Sequence, residues 1–329
     1  MQLIPIYFPN FNHPKQLMKP SIPLSLLAAA LLTTAPASAF ELDHSEGALS
    51  LNTTPEKLVS FDVGVLDSLA ALGVPVSGVP KSSYEGHLAR YQDVPVVGTL
   101  FEPDYAALKE IKPDLIIAGR RSLPAVPELR KIAPTVSFAS APNAFLKDFR
   151  ESNLALGRAF GKEEQAKAAL ASIDAKVEAL QQANKGKTAA VIFTMRGNVI
   201  PHAPGDRFGY AYELTGLESV LPAKDPKVAE APRPEPGSPE AKAAAEERAK
   251  TVSGLAAAEP DWLLVLDRGA INGGEHTAKA TLEKHPQLGQ TKAFKEGRVA
   301  YLDPNGWYIV GTGLNNVNTI TTDLLEIMK

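Results

Sequence analysis

The stretch "LKEIKPDLIIAGR" (residues 108–120) decides the fold. It reads as the end of a helix, a Pro-Asp break, a short apolar run and an arginine. A run this brief and this apolar suits a strand covered by helices on both faces, as in an α/β sheet. The same order returns in "LAAAEPDWLLVLDR" (255–268), with its Pro-Asp pair at 260–261. Between the two lies "KEEQAKAALASIDAKVEALQQAN" (162–184), which contains no helix breaker. As a helix its roughly twenty residues span about 30 Å, the width of a small domain. The pattern predicts an α/β fold of two homologous lobes with the long helix between them.

Working outward, the alternation continues on both sides. In the first half "KLVSFD", "VPVVGT" and "TVSFA" read as strands, and "VLDSLAALG", "DYAALKEIK" and "PAVPELRKIA" as helices. In the second, "TAAVIFTM" and "RVAYLD" read as strands, "YAYELTGL" as a helix, and a terminal helix starts near Asn315. The expected divisions are an N-terminal lobe over 40–160, the connecting helix over 161–184 and a C-terminal lobe over 185–329. Residues 223–250, rich in Pro, Glu, Ala and Lys and lacking aromatics, read as an insertion in the second lobe, a loop followed by a solvated helix.

Residues 1–39 read as a secretory signal. After Met18 come one lysine, a Leu/Ala run too short for a membrane span, and the cleavage pattern Ala37-Ser38-Ala39. Residues 1–17 read as a spurious upstream extension. This segment holds two lysines and no acid, so the remainder carries 32 basic and 37 acidic groups, net −5. That balance excludes nucleic acid as a partner. The chain has no cysteine, which excludes disulfides, thiolate metal sites and a lipid-anchored N-terminal Cys. The expected location is the bacterial periplasm, as a soluble monomer.

In open α/β sheets ligands bind beyond the carboxyl ends of the strands. The residues there are Arg120, with Arg121 and Ser122 beside it, then Arg196, Arg268, and the adjacent Trp307 and Tyr308 after a Pro-Asn-Gly turn. Arg207 follows a Pro-Gly turn ahead of a helix. Arg121 reads as solvated and Trp307 as core packing, whereas a buried Tyr308 needs a partner for its hydroxyl. Enzyme signatures are lacking: there is no G-x-S-x-G, no H-E-x-x-H and no cysteine nucleophile. "GRAFGK" (157–162) is too short for a phosphate loop and lies between helical stretches. The six histidines (13, 44, 87, 202, 276, 285) have no metal-ligand spacing.

Taken together, "LVSFDVGVLDSLAALGVPVSGV", "VPVVGTLFEPDYAALKEIKPDLIIAGRRS", "GDRFG", "PDWLLVLDRGAI" and "GRVAYLDPNGWYIVGTGL" resemble the periplasmic substrate-binding proteins of iron-siderophore ABC importers, in the ferric-catecholate branch. The resemblance spans the chain beyond the signal. It implies an α/β fold of two Rossmann-like lobes joined by a single long helix, a ligand cleft between the lobes, no intrinsic cofactor, ferric iron carried as a siderophore complex, and an inner-membrane ABC permease with its ATPase as partner. It puts the family's basic triad on Arg120, Arg207 and Arg268 and its cleft tyrosine on Tyr308; by position, Ser122 beside the arginines is a candidate hydrogen-bond donor and Trp307 adjoins the ligand. Guanidinium forks suit the anionic oxygens of a catecholate complex, and the phenolic oxygen of Tyr308 is a hard donor for ferric iron. Relatives that ligate iron directly pair this tyrosine with a histidine ahead of the "LDR" strand, where this chain has none. Tyr308 then acts alone, another group substitutes, with His202 the nearest candidate, or the siderophore fills the iron's shell itself. A receptor for haem, cobalamin or a hydroxamate siderophore is the alternative of the same kind; a periplasmic enzyme or scaffold protein using the same two lobes is the alternative of a different class.

Overall fold

The computed structural model describes residues 39–141, 143–224 and 234–329. The expected signal segment, except Ala39, and residues 225–233 of the expected insertion lie outside the described residues.

The chain opens with an antiparallel hairpin, β1 (Phe40–His44) and β2 (Gly47–Leu51), that the sequence reading passes over. Phe40 and Leu42 alternate inward and are buried, and Phe40 meets Phe160 edge-on at 5.2 Å. A parallel sheet follows: β3 (Leu58–Ser60), β4 (Leu115–Ala118) and β5 (Thr135–Ser137), in that order. The expected strand "VPVVGT" is reduced to a bridge between Val79 and Val96, itself next to a Val59–Gly78 bridge. Pro95 has no N–H to donate, which confines this segment to the sheet's edge. Helices α1 (Val63–Ala71), α2 (Tyr105–Ile111) and α3 (Val126–Leu129) connect these strands. Asp62 and Asp104 cap the first two, each accepting from two backbone N–H groups. The expected helix "PAVPELRKIA" is a 3₁₀ turn over Arg120–Ala125 that runs into α3.

Two helices cross to the second half. Helix α4 (Phe145–Ala159) turns at Gly161, in the left-handed region at φ +65°, into the 21-residue α5 (Glu163–Ala183). Its buried stripe of Ala166, Leu170, Ile173, Val177 and Leu180 keeps the i, i+4, i+7 spacing of a one-sided helix.

In the second half β6 (Thr188–Met195) is central. It pairs antiparallel with β7 (Asn198–His202) and parallel with a short β8 (Glu218–Ser219) after α6 (Tyr210–Thr215). On its other side it pairs parallel with β9 (Trp262–Asp267), and β9 with β10 (Val299–Leu302). Arg196 and Gly197, both at positive φ, form the two-residue turn of the β6–β7 hairpin. The helical part of the insertion runs over Pro239–Ala257, with Ser238 as its N-cap.

The terminal helix, Leu314–Ile327, packs on α5 and returns to α1 of the first half. Its N-terminus is held there by Asp67, which accepts from the Asn316 N–H at 2.8 Å, and by Ser68, which accepts from that of Leu314. One hydrophobic core therefore runs from the β1 hairpin through α4 and α5 to β9 and the terminal helix.

Candidate functional site

A cleft of about 1210 Å³ opens between the halves. Its walls come from the carboxyl ends of strands in both. From the first half come Asp62 after β3, Arg120 and Arg121 after β4, and Phe138 after β5. From the second come Met195, Arg207, Arg268 after β9 and the turn Trp307–Thr312 after β10.

At its centre is Tyr308, on a π-helical turn over Gly306–Val310. Three guanidinium carbons lie over its ring, those of Arg207 and Arg268 each at 4.9 Å from the centroid and that of Arg121 at 5.6 Å. All are within the roughly 6 Å reach of a cation–π contact. The Tyr308 carbonyl accepts from Arg121 at 2.8 Å and from Arg207 at 3.1 Å. Phe208 stacks nearly parallel on the ring at 5.8 Å, and Arg207 also covers Phe208 at 4.8 Å. The negative ring face separates like charges that otherwise repel. Burial and the neighbouring Arg121 charge still push Arg207 down to about 10.

Among the described lining residues are six cations, Arg120, Arg121, Arg207, Lys224, Arg248 and Arg268, and three carboxylates. The carboxylates are committed to partners other than the arginines. Asp62 caps α1; burial pushes its carboxyl up, against the pull of the Val65 and Gly64 N–H groups and of Arg121. Glu213 accepts from the first N–H groups of α4, those of Phe145 and Leu146, at 3.2 Å each. Asp206 accepts from the Ala203 and Phe208 N–H groups and meets His202 Nδ1 at 3.0 Å and Lys224 at 3.5 Å. None of the three closes a salt bridge with a cleft arginine, so the cleft keeps excess positive charge facing its opening.

The structure redistributes the residues expected from the sequence. Arg207, Arg268 and Tyr308 come together. The first-half arginine at the ring is Arg121, half-buried, in place of Arg120, which stands exposed on the rim. Successive side chains of a 3₁₀ turn point about 120° apart, so only one of two adjacent arginines faces Tyr308. Arg121 is therefore not the solvated residue its neighbours suggest. Ser122 is buried, and its hydroxyl is spent on the N–H and carbonyl of Gly119, at 3.0 and 3.1 Å. Trp307 is 3 % exposed and stacks on Tyr210 at 5.1 Å, extending a pile through Phe145 to Phe149. It supports the cleft floor. His202 is wedged between Phe193 and Phe208. Its Nδ1 faces Asp206 and its buried Nε2 has no hydrogen-bond partner among the described residues, so neither nitrogen opens to the cleft. Arg196, in the hairpin turn, is exposed and is not part of the lining. Lys224, Arg248 and Glu213 carry no sequence signal, because each reaches the site from mid-loop or mid-helix.

A family model, described as periplasmic binding protein, matches residues 58–305. The chain belongs to the periplasmic binding protein family. Within it, the petrobactin-binding protein YclQ of Bacillus subtilis is 29% identical over 278 residues, 83% of this chain and 82% of that one. The ferric-anguibactin-binding protein FatB of Vibrio anguillarum is 25% identical over 294 residues, covering 87% and 86%. The crystal structure of the periplasmic catecholate-siderophore binding protein VctP from Vibrio cholerae superimposes with a TM-score of 0.74 at 26% identity. That match covers 88% of this chain and 99% of VctP. VctP, and the crystal structure of YclQ, which superimposes with a TM-score of 0.75 at 26% identity, share the two-lobed architecture seen here. Among the described residues no group of three or more His, Asp or Glu side chains is placed to hold a metal ion.

Proposed function

We propose that this chain captures a ferric siderophore of the catecholate type in the periplasm and delivers it to an inner-membrane ABC permease and its ATPase. The carrying observation is the convergence of Arg121, Arg207 and Arg268 on Tyr308 while the cleft's carboxylates are committed to partners other than the arginines. A ferric complex of deprotonated catechols concentrates negative charge on its outer oxygens. Three planar forks, each with several N–H donors, neutralise that charge through charge-assisted hydrogen bonds. A neutral ferric hydroxamate leaves the same guanidiniums unpaired. The catecholate-siderophore-binding VctP supports this ligand class, and the petrobactin-binding YclQ and ferric-anguibactin-binding FatB are relatives named for their own ligands.

In this reading Arg121 takes the place in the basic triad that the resemblance gives to Arg120, and Arg120 meets the ligand at the rim. The Tyr308 hydroxyl approaches the iron when the siderophore leaves a coordination position open. The protein acts as a monomer and releases its ligand unaltered.

The test is a binding titration followed by tryptophan fluorescence, with Trp307 beneath Tyr308 as reporter. Ferric catecholates should quench at submicromolar concentration and a neutral ferric hydroxamate should not. Equal affinity for both would overturn the ligand assignment.

A further inference from the structure

Among the described residues, the helix of the insertion, Pro239–Ala257, is buried only toward its C-terminal end. Val252, Leu255 and Ala256 are buried in an apolar cluster with Leu263, Val265 and Leu282. Its first half is exposed except along one stripe, where Ala241 and Ala244 are half-covered. Those two residues and Arg248 line the cleft. The spacing of three and then four residues puts all of them on one helix face. Two alanines leave room beside the opening, and a guanidinium follows them. Lys250 lies off this face, exposed, within 3.9 Å of Glu247.

We propose that this helix is an outer wall of the ligand cleft and that Arg248 is a further guanidinium contact, beyond Arg120, Arg121, Arg207 and Arg268, selective for the larger and more highly charged ferric chelates. The inference rests on the anionic-ligand reading above. Fe(III) held by two catecholates keeps a single negative charge, and by three a triple one. Arg121, Arg207 and Arg268, gathered on one ring, match the inner part of either complex. At about 1210 Å³ the cleft exceeds the roughly 300–1,000 Å³ of an ordinary ligand pocket. A hexadentate tricatecholate complex extends outward to the helix wall, and a small dicatecholate one does not.

The experiment compares the wild-type chain with Arg248→Glu, Arg248→Gln and, as a control for charge on the same helix, Lys250→Glu. Each is titrated with a ferric hexadentate tricatecholate and with ferric iron chelated by two simple catechols. Arg248 is exposed and has no salt-bridge partner among the described residues, so circular dichroism and thermal melting should match wild type. Arg248→Glu should weaken the hexadentate complex about tenfold, as loss of one charge-assisted contact implies. The dicatecholate complex should weaken by less than about threefold, as screened charge at a distance allows. Lys250→Glu should change neither by more than about twofold. An Arg248→Glu protein indistinguishable from Lys250→Glu would overturn the contact, and equal weakening of both ligands would overturn its selectivity. A wild-type protein that binds neither complex would instead remove the catecholate reading itself.

Discussion

Arg121 and Tyr308, 187 positions apart in the chain, are joined by a 2.8 Å hydrogen bond from the Arg121 guanidinium to the Tyr308 carbonyl. The bond ties the carboxyl end of β4 in the first half to the turn after β10 in the second. It places a first-half charge on the same ring that carries Arg207 and Arg268. Because a single carbonyl accepts from both Arg121 and Arg207, the position of that one turn sets the spacing of the cationic group.

The two adjacent arginines should therefore separate in experiment. Arg121→Ala removes a cation from the ring face and one of two donors to the Tyr308 carbonyl, and should weaken a ferric catecholate about tenfold or more. Arg120→Ala, at the exposed rim, should cost about threefold or less. Arg121→Lys should recover little, since an ammonium cannot both stack on the ring and bond the carbonyl in plane. Isothermal titration of the three variants decides it; equal losses at 120 and 121 would contradict the geometry.

Tyr308→Phe keeps the ring and the carbonyl, and with them the arginine cluster, and removes only the phenolic oxygen. A tetradentate ferric catecholate should lose about tenfold in affinity and shift its charge-transfer band, as loss of one oxygen donor implies. A hexadentate complex should keep both. Unchanged colour and affinity with each ligand would exclude a bond from Tyr308 to iron.

The contrast between 120 and 121 also shows what was legible in the sequence. The two Pro-Asp/strand/Arg stretches, with an unbroken helical run between them, carry their meaning in local pattern. Both strands, the long helix and the strand-end position of Arg268 form where that pattern puts them. Choosing Arg121 over its neighbour depends on the 3₁₀ geometry after Gly119, which two consecutive arginines cannot reveal. The β6–β7 hairpin turns on Arg-Gly, a weak signal beside Asn-Gly, so Arg196 reads as a strand-end residue of an α/β unit. His202 and Ser122 look available by type, but long-range packing on Phe193 and a local bond to Gly119 commit them elsewhere. Asp62 and Asp206 are committed locally, as a helix cap and a turn residue, whereas Glu213 is committed to the start of α4 across more than sixty positions, which local pattern does not reveal.

Crowded cations cost stability when no ligand is bound. Arg207 is pushed down to about 10, first by burial and then by Arg121, so its charged form is disfavoured in the folded state. Replacing it by Gln removes that repulsion. The Tyr308 carbonyl stays satisfied by Arg121. Arg207→Gln should therefore raise the ligand-free protein's stability, by up to about 1 kcal/mol given its exposure to the cleft, while weakening ferric catecholate binding. Urea unfolding without ligand, beside a titration of the same sample, separates the two effects. A fall in both would mean that Arg207 serves chiefly as a structural tie.

The turn that carries Tyr308 also depends on a close approach in the cleft wall, behind Thr312. A methyl group placed on Gly64, in the first turn of α1, would come within 2.2 Å of the Thr312 hydroxyl and 2.6 Å of its carbonyl oxygen. Gly64→Ala should push the 311–313 backbone outward and destabilise the fold by about 2 kcal/mol, the usual cost of overpacking. Through Tyr308 it should also weaken ligand binding. Thr312→Ala in the Gly64→Ala background relieves the hydroxyl clash alone and should restore part of the stability. No recovery in thermal melting would place the conflict wholly in the backbone.

Asp206 provides a pH-dependent prediction of definite sign. Burial alone would raise its carboxyl, but the His202 ring, the Phe208 N–H and Lys224 outweigh it and hold the group below its ordinary 3.8. A carboxyl with a depressed folded value contributes stability that is complete above the unfolded value and is lost as pH falls through the folded one. Asp62 and Asp67, which burial pushes up, act in the opposite sense: their contribution is present below 3.8 and is lost as pH rises through their folded values. Comparing wild type with Asp206→Asn cancels those two. The variant should be less stable by about 1–3 kcal/mol at pH 5, since the amide cannot accept at both positions. Between pH 4 and 2 wild type should fall toward the variant as its own carboxylate takes up a proton. Urea midpoints measured in steps across that range test the sign: a gap that widens toward low pH would mean that Asp206 is already protonated in the folded chain.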